Sequence, residues 1–272
     1  MLCLVVALDC EARPFIARYR LKAEPRAVGF RVYRDADTAL IVAGVGRTLG
    51  ATATAYLQGL LQLETDAAWV NIGVAGHRDY PIGALYRAHT VIDSASGKRW
   101  HPPLVSATLY PSATVRSVDK PETEYPDDAL YDMEAAGFYP IACRFSTSEL
   151  VQVCKIVSDN LATPVHHLTA ADIETLVADA ADALVAGIEQ SRTLAGEVAK
   201  LAQAPPGFDA LTNRHHFTVS ERRRLREGLR RLRLLEPAAL DNVERFTSAS
   251  DALHWLDARI AANLPRIAQT PA

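Results

Sequence analysis

Residues 131–136 (YDMEAA), together with residues 157–159 (VSD) at the end of an apolar run, are the most informative stretches of this chain. The first stretch opens a short predicted helix, and the second closes a β-branched run that has the length of a strand. In open α/β folds, ligands bind beyond the carboxyl ends of the strands. The pattern therefore predicts that the carboxylates of Glu134 and Asp159 meet at one rim of a sheet. Taken singly, Asp132 and Asp159 are also typical of helix caps and turns.

Strand-like and helix-like runs alternate up to residue 202. Strands are predicted at 2–8, 29–34, 38–45, 68–74, 84–92, 112–118 and 151–157. Helices are predicted at 48–63, 134–145 and 168–202, and the last of these begins with an N-terminal box of Thr169 and Asp172. Residues 94–111 and 119–130 are predicted as loops. This alternation predicts a three-layer α/β/α domain with a mixed central sheet.

The character of the chain changes after this domain. Residues 204–207 (APPG) end the long helix, and the remainder is predicted as helices alone. Ser220 is a predicted cap for one helix, and Ser248 or Ser250 for another. We therefore divide the chain into an α/β domain over 1–202 and a helical appendage over 203–272.

The appendage contains an arginine-rich helix. Residues 222–233 carry seven arginines, while Leu225, Leu229, Leu232 and Leu235 form an apolar stripe. The stripe and the lack of interleaved aromatic residues favour a solvated basic face on a packed helix over nucleic-acid binding.

The composition gives no sign of a polyanionic or membrane partner. The net charge is −3, and no apolar run is long enough to cross a bilayer. The apolar N-terminus (MLCLVVALDC) lacks a basic region and is predicted as a strand, not a signal peptide. Four widely spaced cysteines, without metal-ligand spacing, predict reduced thiols and no metal site. A soluble cytoplasmic protein is expected.

Two glycine-containing stretches and one acidic residue also lie at predicted strand ends. Residues 43–47 (AGVGR) join a strand to a helix, where glycine permits a positive φ and the helix N-terminus favours anions. Residues 71–76 (NIGVAG) are predicted to leave a central strand, where a base or ribose could lie against bare backbone or the chain could simply turn. Glu11 follows the first strand and is also typical of a first helical turn.

The order and spacing of these motifs resemble the purine nucleoside phosphorylase/uridine phosphorylase superfamily, and most of all its 5'-methylthioadenosine/S-adenosylhomocysteine nucleosidases. The resemblance covers about residues 2–190 and is carried by Met133-Glu134-Ala135 and Ser158-Asp159. It does not cover the appendage. It implies cleavage of the N-glycosidic bond of an adenine-type nucleoside, no metal or organic cofactor, and a homodimer or larger oligomer.

The resemblance also implies residue roles. Asp159 protonates the purine at N7, Glu11 orients or deprotonates the attacking water, and Glu134 accepts hydrogen bonds from the ribose 2'- and 3'-hydroxyls. The other expected substrate-binding residues are Met133 beneath the sugar, Gly44, Asn71, Gly73, Val74, Gly76 and Ser158. Such residue types suit a reaction that passes through an electron-poor sugar and needs an acid on the leaving group.

Asn71 favours water over phosphate as the nucleophile. Phosphorylases of this superfamily carry Arg at that position and Ser at the position of Val74, and both bind phosphate. Val74 also departs from the nucleosidases, which have Ser there. Arg13 and Arg47 lie near the relevant loops, so a phosphorylase is an alternative. A non-catalytic nucleoside or nucleic-acid binder is another.

The sequence leaves the base and the 5'-substituent unassigned. The segment before Met133 is shorter than in the nucleosidases, and Tyr125, Asp119 or Lys120 could contact the base. Methylthioadenosine, adenosylhomocysteine, 5'-deoxyadenosine and futalosine-like nucleosides all fit. His166 and His167 are predicted to lie in a solvated loop.

Overall fold

The computed structural model describes residues 1–63, 66–105, 110–240 and 246–263 of the chain. The strands are β1 (Leu2–Val6), β2 (Lys22–Ala23), β3 (Arg31–Arg34), β4 (Thr38–Val42), β5 (Ala68–Gly76), β6 (Leu85–Asp93), β7 (Arg99–Trp100), β8 (Ser112–Ser117), β9 (Leu130–Asp132) and β10 (Val151–Asp159). The helices are α1 (Asp9–Tyr19), α2 (Arg47–Leu61), α3 (Ala135–Ala142), α4 (Ala170–Ala202), α5 (Phe208–Arg214), α6 (Val219–Leu235) and α7 (Ala249–Asn263). The predicted loop over 94–111 contains the short strand β7, which was not predicted. This loop and the predicted appendage lie partly outside the described residues.

Contacts divide the chain into two compact units, Met1–Val198 and Ala199–Ala272. The first unit holds one mixed sheet in the order β10-β6-β8-β9-β5-β1-β4-β3-β2, with β7 beside β6. Strand β10 also pairs with β5, so β5, β10, β6, β8 and β9 close into a ring. Because β1, β5 and β10 run parallel, their carboxyl ends meet at one edge of the sheet.

Helices cover both faces of this sheet, which confirms the predicted α/β architecture. On one face, Leu57 of α2 and other side chains from α2 and α3 pack against Val5 and its neighbours. On the opposite face, Phe15 of α1 and Val177 of α4 pack against Leu4 and its neighbours. Successive residues of β1 point to opposite faces, so a continuous apolar run supplies both cores.

Three elements near the sheet edge differ from the prediction. Helix α1 is not among the predicted helices and contains Pro14, a residue that usually marks a helix end. Strand β9 is not among the predicted strands, and it begins at Leu130, the last residue of the predicted loop over 119–130. The stretch over 71–76 is not a turn, because β5 continues through Gly76 and pairs with β10 from Trp69 to Gly76. Its glycines therefore serve packing within a strand, as described below.

The second unit, described by itself, has an apolar core formed by α5, α6 and α7. Leu225, Leu229 and Leu232 of the predicted stripe are buried in it, whereas Leu235 is exposed. The cap of α6 is Thr218, not the predicted Ser220, since Thr218 Oγ1 accepts a hydrogen bond from the Glu221 N–H at 3.3 Å.

The other predicted caps agree with the structure. Ser248 Oγ accepts from the Asp251 N–H at 3.1 Å at the start of α7. Thr169 and Asp172 form the expected reciprocal box before α4.

None of the helices within the described ranges combines the length and the apolar character that a membrane span requires. All four cysteines are unpaired, and Cys143 is the one that is partly exposed.

Candidate functional site

A cavity of about 280 Å³ opens in the first unit where β5 and β10 end. Its size is near the lower end of the range for small-molecule pockets, roughly 300–1,000 Å³. The predicted site residues on its wall are Glu11, Val74, Gly76, Met133, Glu134, Ser158 and Asp159. Apolar residues from several elements complete it, among them Ala7, Val45, Val118, Val165, Leu168 and Ile173. The structure thus brings together carboxylates that lie far apart in sequence.

Glu134 is held by the turn that precedes α2. Its Oε1 accepts a hydrogen bond from the Gly46 N–H at 2.8 Å. Gly46 has a φ of +111°, a conformation that glycine adopts without steric cost. The anion at the N-terminus of α2 is therefore the side chain of Glu134 itself. Burial raises the pKa of Glu134 to about 7, although Lys155 acts in the opposite direction.

Lys155 lies beneath the acidic wall of the cavity. It is fully buried in β10, and its Nζ lies 2.9 Å from Asp132 Oδ2. Burial lowers the pKa of Lys155, but Asp132, Glu134 and Glu11 outweigh it and hold the pKa above its usual value. The ammonium group therefore stays charged and offsets the negative charge of the three carboxylates.

Asp132 is a cap, as its position in the sequence also indicated. Its Oδ2 accepts from the Ala135 N–H at 2.8 Å, at the start of α3, and its Oδ1 accepts from Ser117 Oγ. With the ion pair to Lys155, Asp132 connects β8, β10 and α3 directly behind Glu134. These contacts fix the helix start from which Glu134 reaches the cavity.

Glu11 lies on the cavity wall in the first turn of α1. Its Oε2 accepts from the N–H groups of Ala7 and Leu8, both at 2.9 Å, and its Oε1 accepts from the Val74 N–H at 3.0 Å. Burial raises the pKa of Glu11, partly offset by Lys155 and these three hydrogen bonds. A carboxylate with a raised pKa is a better proton acceptor than a solvated one.

Gly73 and Gly76 leave room for the functional side chains. A Cβ on Gly73 would lie 2.9 Å from Glu11 Oε1 and 3.3 Å from Lys155 Nζ. A Cβ on Gly76 would lie 2.7 Å from Cε1 of Tyr125. Both glycines are needed because charged or polar side chains occupy the space above β5.

Three predicted site residues do not line the cavity. Asn71 is buried, and its Nδ2 donates to the Val5 carbonyl at 3.0 Å, so it joins β5 to β1 beneath the site. Gly73 lies under Glu11 and Lys155. Gly44 has a φ of +86° and borders a separate surface hollow that also contains Phe30.

Asp159 is almost enclosed at the end of β10. Its Oδ1 accepts a hydrogen bond from Ser158 Oγ, and its Oδ2 accepts one from the hydroxyl of Tyr125. Its carbonyl accepts from the His77 N–H at 3.0 Å. The side chain and backbone of Asp159 are therefore both fixed by the chain before any ligand binds.

None of the three candidates for base contacts in the loop before β9 lines the cavity. Asp119 forms an ion pair with Arg47 at 2.6 Å, Lys120 is exposed, and Tyr125 is buried behind Asp159. Pro121 and Glu122 of the same loop line the cavity instead. His166 and His167 are exposed, as expected for a solvated segment.

The two arginines considered for phosphate binding are paired with carboxylates. Arg13 contacts Glu174 at 2.6 Å, and Arg47 pairs with both Asp93 and Asp119. No arginine, lysine or histidine lines the cavity among the residues that the structure describes. Nor does this part of the chain contain a cluster of three or more acidic, His or Cys side chains placed to hold a metal ion.

Lys155 is the main site residue that the sequence analysis misses. Its signal is present, since a lysine within the apolar run VQVCKIV is unusual and a buried lysine is almost always paired. The sequence does not give the identity of the partner, because Asp132 and Lys155 meet only through the pairing of β9 with β5 and of β5 with β10.

Replacing Lys155 with Met is expected to lower the free energy of unfolding by about 3–5 kcal/mol, because it leaves buried carboxylates without their cation. Urea denaturation followed by circular dichroism measures this change. The exposed Lys98 offers a matched control, and Lys98→Met should stay within about 0.5 kcal/mol of the wild type. Equal stability of the two variants would contradict the role given to Lys155.

Known structures with a similar fold are found, although the sequence itself has no match. No protein-family model and no curated protein matches the sequence. The structure is similar to a 5'-methylthioadenosine/S-adenosylhomocysteine nucleosidase from S. pneumoniae, with a TM-score of 0.54 and 15% identity over 69% of this chain and 97% of the other. The corresponding enzyme from Colwellia psychrerythraea, solved with adenine, gives a TM-score of 0.54 and 19% identity over 70% of this chain and 94% of the other.

A second activity occurs among the similar structures. Futalosine hydrolase from Helicobacter pylori matches with a TM-score of 0.54 and 14% identity, over 70% of this chain and 97% of the other. The resemblance inferred from the sequence is thus confirmed at the level of the fold. The α/β unit of this chain has the nucleoside phosphorylase-type fold that the methylthioadenosine/adenosylhomocysteine nucleosidases and futalosine hydrolase share.

Proposed function

We propose that the first unit hydrolyses the N-glycosidic bond of a purine nucleoside of the adenine type. The observation that carries this proposal is the convergence of Asp159, Glu134 and Glu11 on one cavity that has no cationic side chain among its described wall residues. Three carboxylates at one site can divide the work of leaving-group protonation, sugar binding and water activation. The fold shared with nucleosidases supports the same reaction class.

Each carboxylate has a distinct role in the proposed reaction. Asp159 gives its proton to N7 of the purine, so the base departs as a neutral molecule when the bond from C1' to N9 breaks. Water attacks C1' and transfers its proton to Glu11, whose raised pKa suits a base. The products are the free base and the free sugar; Glu11 then releases its proton to solvent, and solvent restores the proton on Asp159.

Glu134 is the proposed sugar-binding residue. Its Oε1 is held by the Gly46 N–H, while Oε2 receives no hydrogen bond from the described residues and is available for the ribose hydroxyls. Met133 lies on the same wall, beside Glu134, where its side chain can pack under the sugar ring. A carboxylate near C1' also stabilises the positive charge that develops on the sugar.

The charges around the cavity favour water over phosphate. Five acidic residues line the wall, namely Glu11, Glu122, Asp132, Glu134 and Asp159, and Lys155 offsets the charge of Asp132. Arg13 and Arg47 are engaged elsewhere, and the N-terminus of α2 already binds Glu134. A phosphate dianion would therefore meet like charges in a buried site, which is costly.

Added phosphate is expected to leave the rate of base release unchanged. Wild-type protein would be assayed with methylthioadenosine, adenosylhomocysteine, 5'-deoxyadenosine and futalosine, with and without phosphate, and the products separated by chromatography. We expect the free sugar and no sugar 1-phosphate from whichever nucleoside is cleaved. A rate that requires phosphate, with the corresponding sugar 1-phosphate as product, would establish the phosphorylase alternative instead.

The proposed family relationship also predicts a homodimer or larger oligomer. Light scattering coupled to size-exclusion chromatography measures the molar mass directly. A mass equal to that of one 29.6 kDa chain at micromolar concentration would contradict this expectation.

A further inference from the structure

Tyr125 lies against the proposed acid without lining the cavity. Its hydroxyl donates to Asp159 Oδ2, while Ser158 Oγ donates to Oδ1. Only 1% of the surface of Tyr125 is exposed, and its ring is absent from the cavity wall. Burial and the neighbouring Asp159 raise the pKa of Tyr125, so its hydroxyl stays protonated and acts as a hydrogen-bond donor at neutral pH.

Arg78, in the turn that follows β5, holds the backbone at Tyr125. The guanidinium of Arg78 donates to the Tyr125 carbonyl at 3.1 and 2.8 Å and to the Pro126 carbonyl at 2.8 Å. Tyr125 has a φ of +46°, a left-handed conformation that is uncommon for a residue with a side chain. Such conformations persist where surrounding contacts over-determine them, and they cluster at functional sites.

The space for the tyrosine ring is provided by its neighbours. The ring of Tyr131 packs edge-on at a centroid distance of 5.8 Å, and Gly76 lacks the Cβ that would collide with the Tyr125 ring. Strand β5, the turn that contains Arg78 and the loop before β9 together place the Tyr125 hydroxyl on Asp159 Oδ2.

We propose that Tyr125 is a positioning residue for Asp159: its hydroxyl donates to Oδ2 and thereby fixes the orientation of the carboxyl group that protonates the base. This inference rests on the proposed function, since it assigns the orientation of the acid in that reaction. A carboxyl group that rotates freely presents its proton in the wrong direction part of the time, whereas a fixed one does not.

The test is a double-mutant cycle between Tyr125→Phe and Asp159→Asn. Tyr125→Phe alone is expected to lower kcat for base release by about 10- to 100-fold, the range expected for losing one hydrogen bond to a charged group. KM should stay within twofold of the wild type, because Tyr125 does not line the cavity. In the Asp159→Asn background, Tyr125→Phe should have no further effect, since there is no acid left to position.

Tyr110 provides a matched control. It is a buried tyrosine of the same unit whose hydroxyl contacts Cys154 Sγ at 3.6 Å, away from the cavity. Tyr110→Phe is expected to leave kcat unchanged, and thermal unfolding of each variant verifies that it is folded.

The outcomes separate this inference from the proposed function. If wild-type protein releases base and Tyr125→Phe matches it, the positioning role is wrong while the proposed function stands. An equal loss in the wild-type and Asp159→Asn backgrounds would assign Tyr125 to general stability and also overturn the role. If the wild type cleaves no nucleoside, the proposed function fails and the role of Tyr125 fails with it.

Discussion

Replacing Asp159 with Asn is expected to lower kcat for base release by about 10²–10⁴-fold, the usual contribution of a general acid. The amide has nearly the same shape and can still accept a hydrogen bond from Tyr125, but it has no acidic proton for N7. Chromatographic measurement of free base gives the rate, and circular dichroism with thermal unfolding tests the fold. Asp182→Asn is the matched control, because the Asp182 side chain is 86% exposed and lies on α4.

A substrate that needs no acid sharpens this test. The leaving group of a p-nitrophenyl riboside departs as a stable anion, so its release does not depend on a proton from Asp159. Asp159→Asn should therefore slow a purine nucleoside far more than the aryl riboside. Equal slowing of both substrates would indicate that Asp159 binds or supports the site but does not protonate the base.

Glu134→Gln is expected to lower kcat/KM for ribonucleosides by about 10²–10⁴-fold, since two hydrogen bonds to a charged group contribute roughly 1.5–3 kcal/mol each. The amide has the same size as the carboxyl group but lacks its charge, and its NH₂ group cannot accept from a hydroxyl. A 2',3'-dideoxynucleoside has no 2'- or 3'-hydroxyl to bind, so Glu134→Gln should lower its kcat/KM far less than that of the ribonucleoside. A similar loss on both substrates would exclude Glu134 as the hydroxyl-binding group.

The pH dependence of KM gives an independent view of Glu134. Because burial raises the pKa of Glu134 to about 7, the group is largely protonated below that pH and ionised above it in the unliganded protein. The ionised form is the better acceptor for sugar hydroxyls, so KM should fall as pH rises through about 7. This dependence should disappear in Glu134→Gln.

The candidate site is predictable from the sequence because its acidic residues lie at or near the ends of strands. Glu11, Glu134 and Asp159 each follow or close an apolar element, and parallel strands bring their carboxyl ends to one edge. The same reasoning places the Gly46 turn next to them, although its function differs from the expected one. The turn does bind an anion, but that anion is Glu134 and not a ligand.

The residues that sequence reasoning could not place depend on contacts between distant segments. Asn71 looks like a ligand group at a strand end, yet β5 continues past it and its amide bonds to β1. Tyr125 stands in a loop without periodicity, and Arg78 and Gly76 determine where its hydroxyl lies. Lys155 pairs with Asp132 only because β9 and β10 both pair with β5. These contacts follow from the order in which the strands pair, and local sequence patterns do not specify that order.

Nucleoside hydrolysis by the first unit is tested most simply by the product balance of wild-type protein in phosphate-free buffer. A nucleoside that the protein cleaves would be incubated to partial conversion, and the free purine and free reducing sugar would be quantified together. We predict equal molar amounts of base and sugar, formed at a rate that Asp159→Asn lowers by about 10²–10⁴-fold. Absence of base release from every nucleoside tested, or release at the same rate by Asp159→Asn, would contradict the assignment of this cavity as a nucleoside hydrolase site.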